Sequence, residues 1–316
     1  MSFFIAGTGG ALPEQSVTNE TLSTFLDTSD EWIRSRTGIG ERRICIQEDL
    51  LSLATKAAQT ALAQSGVPAA ELDLILCATV QGDYIIPSLA CQIQREIGAG
   101  CPAFDLNAAC TGFVYALDVA AAYFARGYNH ILVVAADAMS RQVDWRERST
   151  CVLFGDGAGA VVLSKGEGLL SIKLTASGNL DILKVRGREG NCPFLAPDSR
   201  PAYLEMQGQE LYRFAVGCMA EDVKAVLAMA GVEEREVTFL LAHQANRRIL
   251  EAARQRLGID EDKYVSNIHK YGNTSAASIP LLLHELVDEG RLSRGDLLVL
   301  TAFGGGLTSG AAVIRY

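Results

Sequence analysis

The chain has 316 residues, is 49% apolar and carries a net charge of −9. That content supports a large buried core, and the acidity argues against nucleic acid as the main partner, which demands a basic face. The longest apolar runs, such as "HILVVAADAM", are strand-sized and far short of the roughly 20 residues a membrane span needs, so no membrane insertion is expected.

In chain order, "MSFFIAGTGG" has no basic segment and breaks at glycine, so it reads as a strand (3–7) and not as a leader. A cytoplasmic location is expected, from scattered cysteines that suit a reducing compartment. A helix follows over 50–66, "LLSLATKAAQTALAQSG", with a glycine stop. "DLILCATV" (73–80) is a buried strand, "SLACQIQREIG" (88–98) a helix and "PAFDLN" (102–107) a strand. The stretch 105–127, "DLNAACTGFVYALDVAAAYFARG", then opens a long apolar helix. "HILVVAAD" (130–137) and "AGAVVLSK" (158–165) are strands. This alternation predicts a layered α/β fold.

The second half echoes the first. "VTFLLAHQ" (237–244) follows the pattern of "DLILCATV", and "RRILEAARQRLG" (247–258) that of "SLACQIQREIG". "NTSAASIPLLLHELVDEG" (273–290) echoes the helix behind Cys110, and "GDLLVLTAF" (295–303) the strand after it. "SGAAVIRY" (309–316) echoes "GAGAVVLS". The offset stays at about 150 to 165 residues and the order is kept, which predicts a duplication with halves at 1–165 and 166–316. Two equivalent loops, one headed by Cys110 and one by Asn273, would then face each other across a pseudo-two-fold axis.

Two glycine motifs invite a dinucleotide reading, "GTGGAL" and "GDGAGA" (155–160). The first lacks a third glycine and runs into Pro13; the second leads into a strand, where the fingerprint needs a helix N-terminus. Both are read as tight turns and close-packed backbone. The eight cysteines, Cys45, Cys77, Cys91, Cys101, Cys110, Cys151, Cys192 and Cys218, form no CxxC pair, and seven read as small buried hydrophobes.

Cys110 stands apart. Small residues flank it, and a thiol at a helix start meets unpaired N–H groups and the positive end of the dipole, which favour the nucleophilic thiolate. The competing reading is a buried structural cysteine. His243, just after an apolar strand, sits where open α/β folds place chemistry, or is a satisfied core histidine. Asn273 precedes a helix, as a functional amide or as a simple cap. "FGGGLTSG" (303–310) is a hairpin or a backbone N–H aimed at an oxyanion. Arg247, Arg248, Arg254 and Arg256, with only Glu251 among them, form a solvated helix face or a landing pad for an acidic partner. No His or Cys pattern has metal-ligand spacing.

With "TSDEWIRSRTGIGERRI" (28–44), "ACQIQREIG", "PAFDLNAACTGF", "FGDGAGA", "HQANRRI", "YGNTSAAS" and "FGGG" in this order, the whole chain resembles the β-ketoacyl-acyl-carrier-protein synthase III family, the initiating condensing enzymes of bacterial fatty acid synthesis. The resemblance implies a thiolase fold, duplicated halves in a five-layered αβαβα sandwich, usually as a homodimer. It implies decarboxylative condensation of an acyl-CoA primer with malonyl-acyl carrier protein, with no metal or redox cofactor. Carried over residue by residue, Cys110 becomes the acyl-accepting nucleophile and His243 with Asn273 the decarboxylation pair. The backbone N–H groups of Cys110 and Gly305 form the oxyanion hole. Thr28, Trp32, Arg36, Arg148, Gly208 and Asn246 contact coenzyme A. Arg248, with Arg247, Arg254 and Arg256 beside it, meets the carrier protein, and Ile86 caps the partner subunit's acyl pocket.

There are departures. Gly40 stands where a charged residue is common, and the glycines at 304–306 lack the aromatics that often follow. A large aromatic at position 86 favours short primers, and Ile86 leaves the length limit open; an acetyl or other short primer, branched ones included, is expected. Two alternatives are a secondary-metabolism relative with another acyl donor or acceptor, and a non-catalytic acyl-CoA-binding protein. The intact "HQAN" and "GNTSAAS" favour condensation.

Overall fold

The computed structural model describes residues 2–187, 193–194 and 202–316. Cys192 lies outside the described residues. A first sheet uses strands β1 (Ser2–Ala11), β2 (Leu74–Ala78), β3 (Ala103–Leu106), β4 (His130–Ala138) and β5 (Asp156–Gly166), in the order β1-β5-β4-β2-β3. A second uses β6 (Leu169–Asn179), β7 (Phe239–Ala242), β8 (Leu297–Gly304) and β9 (Gly306–Arg315), in the order β7-β8-β9-β6. The two orders superimpose: β7, β8, β9 and β6 repeat β2, β4, β5 and β1, with the same parallel and antiparallel pairings. The place of β3 is taken in the second sheet by a single parallel bridge from Leu240 to Tyr264.

The main helices are α1 (Asp30–Thr37), α2 (Leu50–Ser65), α3 (Leu89–Ile97), α4 (Gly112–Ala125), α5 (Gly208–Ala230), α6 (Arg247–Leu257) and α7 (Ser278–Asp288). α4 and α7 form the central layer. Phe113, Leu117, Phe124, Leu282 and Leu286 pack at once against Leu76 and Val133 of the first sheet and Leu298 and Leu300 of the second. α2 and α3 cover the outer face of the first sheet, and α5 with the end of α6 covers that of the second. The layer order is α-β-α-β-α, as the resemblance implies. β2, buried at every residue, needs this double cover, which is why its sequence is an unbroken apolar run.

β1 continues through the predicted break at Gly7. A Cβ at Gly9 would stand 2.0 Å from the Ala57 carbonyl oxygen of α2, so the glycines admit a helix that crosses at backbone distance. Gly159 of "GDGAGA" does the same for α7, where a Cβ would lie 2.8 Å from the Leu281 nitrogen. Both motifs thus sit inside strands. The sequence reading did not anticipate α5 or β6. No helix of the described residues is long and apolar enough to cross a membrane.

Candidate active site

The thiol stands one step outside its predicted helix. Cys110 lies on a 3₁₀ turn, Ala109–Thr111, between β3 and the first residue of α4. Its counterpart turn in the other half is Ser275–Ala277, leading into α7. Ala109 and Ser275 are equivalent residues, and they alone among the described non-glycine residues have positive φ, +47° and +53°. Asn107 and Asn273 are equivalent too, each accepting a bond from the nitrogen two residues on, at 3.1 and 2.8 Å. The pseudo-symmetry therefore pairs Asn273 with Asn107 and Cys110 with Ala276.

Cys110, His243 and Asn273 line one cavity of about 1360 Å³, together with the Gly304–Gly306 turn. β8 ends against the thiol turn, since a Cβ on Gly304 would come within 2.9 Å of the Cys110 nitrogen. Gly305 sits at the tip of that hairpin and faces Ala109. The backbone at Cys110 and Gly305 is thus brought to one wall.

His243 is fixed on three sides. Its nitrogen donates to the Thr301 carbonyl at 2.8 Å, Phe303 meets its ring edge to face at 5.5 Å, and Nδ1 lies 2.8 Å from Ser278 Oγ. The Gln244 nitrogen donates to the same Oγ at 3.3 Å, which takes up one of its two lone pairs. With the Ser278 hydroxyl donating to Nδ1, the ring carries its proton on Nε2, which is then the donor. Burial lowers the His243 pKa to about 3, so the ring is neutral at physiological pH. Asn273 is locked similarly. Its nitrogen donates to the Leu153 carbonyl at 2.9 Å, and its Oδ1 is committed to the Ser275 nitrogen, which leaves Nδ2 as a donor on the cavity side.

The expected resting thiolate is corrected. Burial pushes the Cys110 thiol up to about 12; the bond from Ser275 lowers it only partly, and the nearby Asp137 carboxylate raises it further. The group rests as a thiol because desolvation outweighs the pull of a helix start two residues away.

At the cavity mouth, two guanidinium groups lie over the Trp32 ring, Arg36 at 4.6 Å and Arg148 at 4.9 Å from its centre. Arg148 also donates to the Asp27 carbonyl. Gly208 starts α5 on the cavity wall, and Asn246 caps α6 by accepting from the Arg248 nitrogen at 2.9 Å. Thr28 does not line the cavity, and its buried hydroxyl has no partner among the described residues. Arg247 and Arg248 border a groove beside the mouth with Arg34 and Tyr212. The other two arginines are placed differently. Arg254 binds Glu251 at 2.6 Å and the Ile259 carbonyl at 3.0 Å, serving its own helix end, and Arg256 is exposed outside the groove. The space over Gly40 is filled by the Arg34 guanidinium, which a Cβ there would meet at 2.4 Å. Ile86 is 84% exposed on this chain, next to exposed Tyr84 and Ile85.

Ser275, Ser278, Phe303 and Asp137 were not singled out from the sequence. Only Asp137 carried a signal of its own, an acidic residue closing the buried strand "HILVVAAD".

Two family models match the chain, the 3-oxoacyl-[acyl-carrier-protein (ACP)] synthase III model over residues 104–178 and its C-terminal model over 227–316. Among curated relatives, the beta-ketoacyl-[acyl-carrier-protein] synthase III of Aquifex aeolicus is 47% identical over 99% of both chains. The crystal structure of 3-oxoacyl-[acyl-carrier-protein] synthase III from Aquifex aeolicus superimposes with a TM-score of 0.93 at 46% identity, covering 100% of both chains. The priming beta-ketosynthase of the R1128 polyketide biosynthetic pathway superimposes with a TM-score of 0.93 at 34% identity, over 99% of this chain and 96% of that one.

Proposed function

The chain belongs to the 3-oxoacyl-[acyl-carrier-protein] synthase III family, and from that premise we propose how its own residues carry out the initiating condensation of fatty acid synthesis. It is an acyltransferase of the condensing type. One observation supports the assignment of roles most strongly: a half-buried thiol shares a cavity with an imidazole and an amide that are both held in place, His243 by Ser278 and Asn273 by the Ser275 nitrogen, so that each can donate an N–H into it.

An acyl-CoA enters past Trp32, its adenine stacking on the indole while Arg148 swings aside to cover the other face. Arg36 neutralises phosphate charge, and Gly208 and Asn246 flank the rest of the coenzyme A. Cys110 sulfur attacks the thioester carbonyl, and the N–H groups of Cys110 and Gly305 hold the oxyanion. Coenzyme A leaves with a proton, and the acyl group stays on sulfur.

Malonyl-acyl carrier protein then docks through Arg247 and Arg248. His243 and Asn273 donate to its thioester oxygen, and because the imidazole is neutral with a fixed Nε2–H it donates without burying a further positive charge. Carbon dioxide departs, the two donors stabilise the enolate, and its carbon attacks the acyl-Cys110 carbonyl. Cys110 leaves as thiolate and regains a proton. Tyr84, Ile85 and Ile86 form an exposed apolar segment, which supports the reading that a second copy covers it and that Ile86 caps the partner subunit's acyl pocket.

Intact-mass analysis after mixing with acetyl-CoA tests this reading. A single acetyl on Cys110, converted to a β-ketoacyl product when malonyl-carrier protein is added, is expected. A chain that binds acetyl-CoA and gains no mass would be a non-catalytic binder. Acetylation followed by transfer to oxygen or nitrogen, with no decarboxylation, would make it a secondary-metabolism acyltransferase.

A further inference from the structure

The Cys110 sulfur bears negative charge twice in the reaction, when it attacks the primer and when it is released from the acyl group. Burial opposes that charge, and the helix start two residues on does not outweigh it. A hydroxyl of the other half stands against the sulfur: Ser275 Oγ donates to Cys110 Sγ at 3.5 Å.

Ser275 is fully buried, and a hydroxyl out of reach of bulk solvent keeps its proton on a protein acceptor. The backbone around it is clamped at three points. The Ser275 nitrogen donates to Asn273 Oδ1 at 2.8 Å, the Ala276 nitrogen to the Asp137 carboxylate at 3.3 Å, and the Ala277 nitrogen to the Thr274 carbonyl at 3.1 Å. Asp137, near the end of β4, also accepts from the Val80 nitrogen at 2.7 Å and the Thr79 hydroxyl at 3.2 Å. It therefore ties the turn of the second half to the first, where the thiol is.

The turn itself does not require the hydroxyl. Ala109, the counterpart of Ser275, adopts the same left-handed conformation without one. Of the two equivalent turns, the one that faces the sulfur from outside the thiol's own segment carries the oxygen.

We propose that Ser275 is a catalytic residue of the acyl transfer, its hydroxyl donating to the Cys110 sulfur whenever that atom is a thiolate. The inference rests on the acyl-transfer reading of Cys110 given above. In acylation the sulfur gives up its proton, which departs with coenzyme A, and a sulfur pair forms the bond to the thioester carbon. The carbonyl π pair moves to oxygen and returns as the coenzyme A sulfur leaves with its own bonding pair. In condensation the enolate carbon attacks the acyl carbonyl, and collapse of the oxyanion sends the C–S pair back to Cys110, where the Ser275 O–H meets it. Ser275 keeps its own proton throughout.

The bond favours the charged form of the sulfur, because a hydrogen bond to an anion is about twice as strong as one between neutral groups. Burial, which raises the Cys110 pKa, is opposed first by this bond and only then by the Cys110 backbone nitrogen. Ground state and product hold a neutral sulfur, so the added strength appears on the path between them and raises the rate.

The test is Ser275→Ala, which Ala109 shows the turn conformation accepts. The first-order acylation rate with acetyl-CoA should fall about tenfold, the low end for a hydrogen bond to a charged group, with the KM for acetyl-CoA and the Tm nearly unchanged. Alkylation of Cys110 by iodoacetamide, which needs neither coenzyme A nor carrier protein, should slow roughly fourfold at pH 8, since the remaining thiolate is scarcer but more nucleophilic. Carbon dioxide release from malonyl-carrier protein by the unacylated protein puts no charge on the sulfur, and the loss there should be small. A wild-type alkylation rate would overturn the proposal. So would a loss of carbon dioxide release as large as the loss of acylation, which would make Ser275 a support for Asn273, or a defect that lies wholly in KM or Tm. If the wild type takes no acyl group from acetyl-CoA, the functional reading fails, while the alkylation result still decides the role of Ser275.

Discussion

The Ser278 hydroxyl lies 2.8 Å from His243 Nδ1, so the direction of this one bond decides which nitrogen of the imidazole carries the proton. Donor polarity at the cavity is therefore decided by a residue at the start of α7, not by the histidine's own strand. Ser278→Ala should release the tautomer and lower the decarboxylation rate of malonyl-carrier protein about tenfold, with little change in KM. Single-turnover carbon dioxide release measures it, and an unchanged rate would show that the serine is dispensable for tautomer control.

The buried His243 also predicts an acid response of the whole protein. Its folded pKa of about 3 lies below the unfolded value of about 6.5, so the unfolded chain binds more protons between these limits. Stability should fall as the pH drops from about 6.5 toward 3. Asp137 acts in the opposite direction: with its pKa raised to about 6, the folded state takes up a proton more readily than the unfolded one as the pH falls through that region. His243→Gln should flatten the acid-side loss of Tm, and Asp137→Asn should steepen it. Thermal melts between pH 4 and pH 7, a range estimated from these pKa limits, distinguish the two.

The stacked mouth gives a binding prediction. Trp32→Ala removes the platform under Arg36 and Arg148 and should raise the KM for acyl-CoA about tenfold, given roughly 1–3 kcal/mol for a base stacked on an aromatic ring. The kcat should change little. A selective loss of kcat would place Trp32 in the chemistry and contradict the assignment.

Charge reversal in the groove beside the mouth separates the two substrates. Arg247→Glu should raise the KM for malonyl-carrier protein several-fold and weaken its salt dependence, while the KM for acyl-CoA stays near wild type. Arg254→Glu should instead reduce stability, because Arg254 is held by Glu251 and the Ile259 carbonyl. Steady-state kinetics at two ionic strengths, with melts of both variants, provide the check.

Much of the architecture was readable from pattern alone. Buried strands such as "DLILCATV", glycine-stopped helices and the repeat of both in register pointed to two sheets around shared helices. The glycine motifs misled only about where β1 ends, because a glycine admits a crossing helix as well as a turn and nothing local distinguishes them. α5 and β6 escaped notice because their polar residues break a simple apolar pattern, and their burial comes from partners far along the chain.

At the site, the sequence by itself determined the chemical types: a thiol among small residues, an imidazole after a buried strand, an amide before a helix and a glycine hairpin. Tertiary structure alone decided their states. Whether Cys110 rests as thiol or thiolate depends on desolvation by both halves, and the tautomer of His243 depends on a serine 35 residues away. Ser275 of the second half meets the Cys110 sulfur of the first, a contact between residues 165 apart in the chain. Proton positions and donor directions are set by contacts between distant segments, and only the packed molecule brings those segments together.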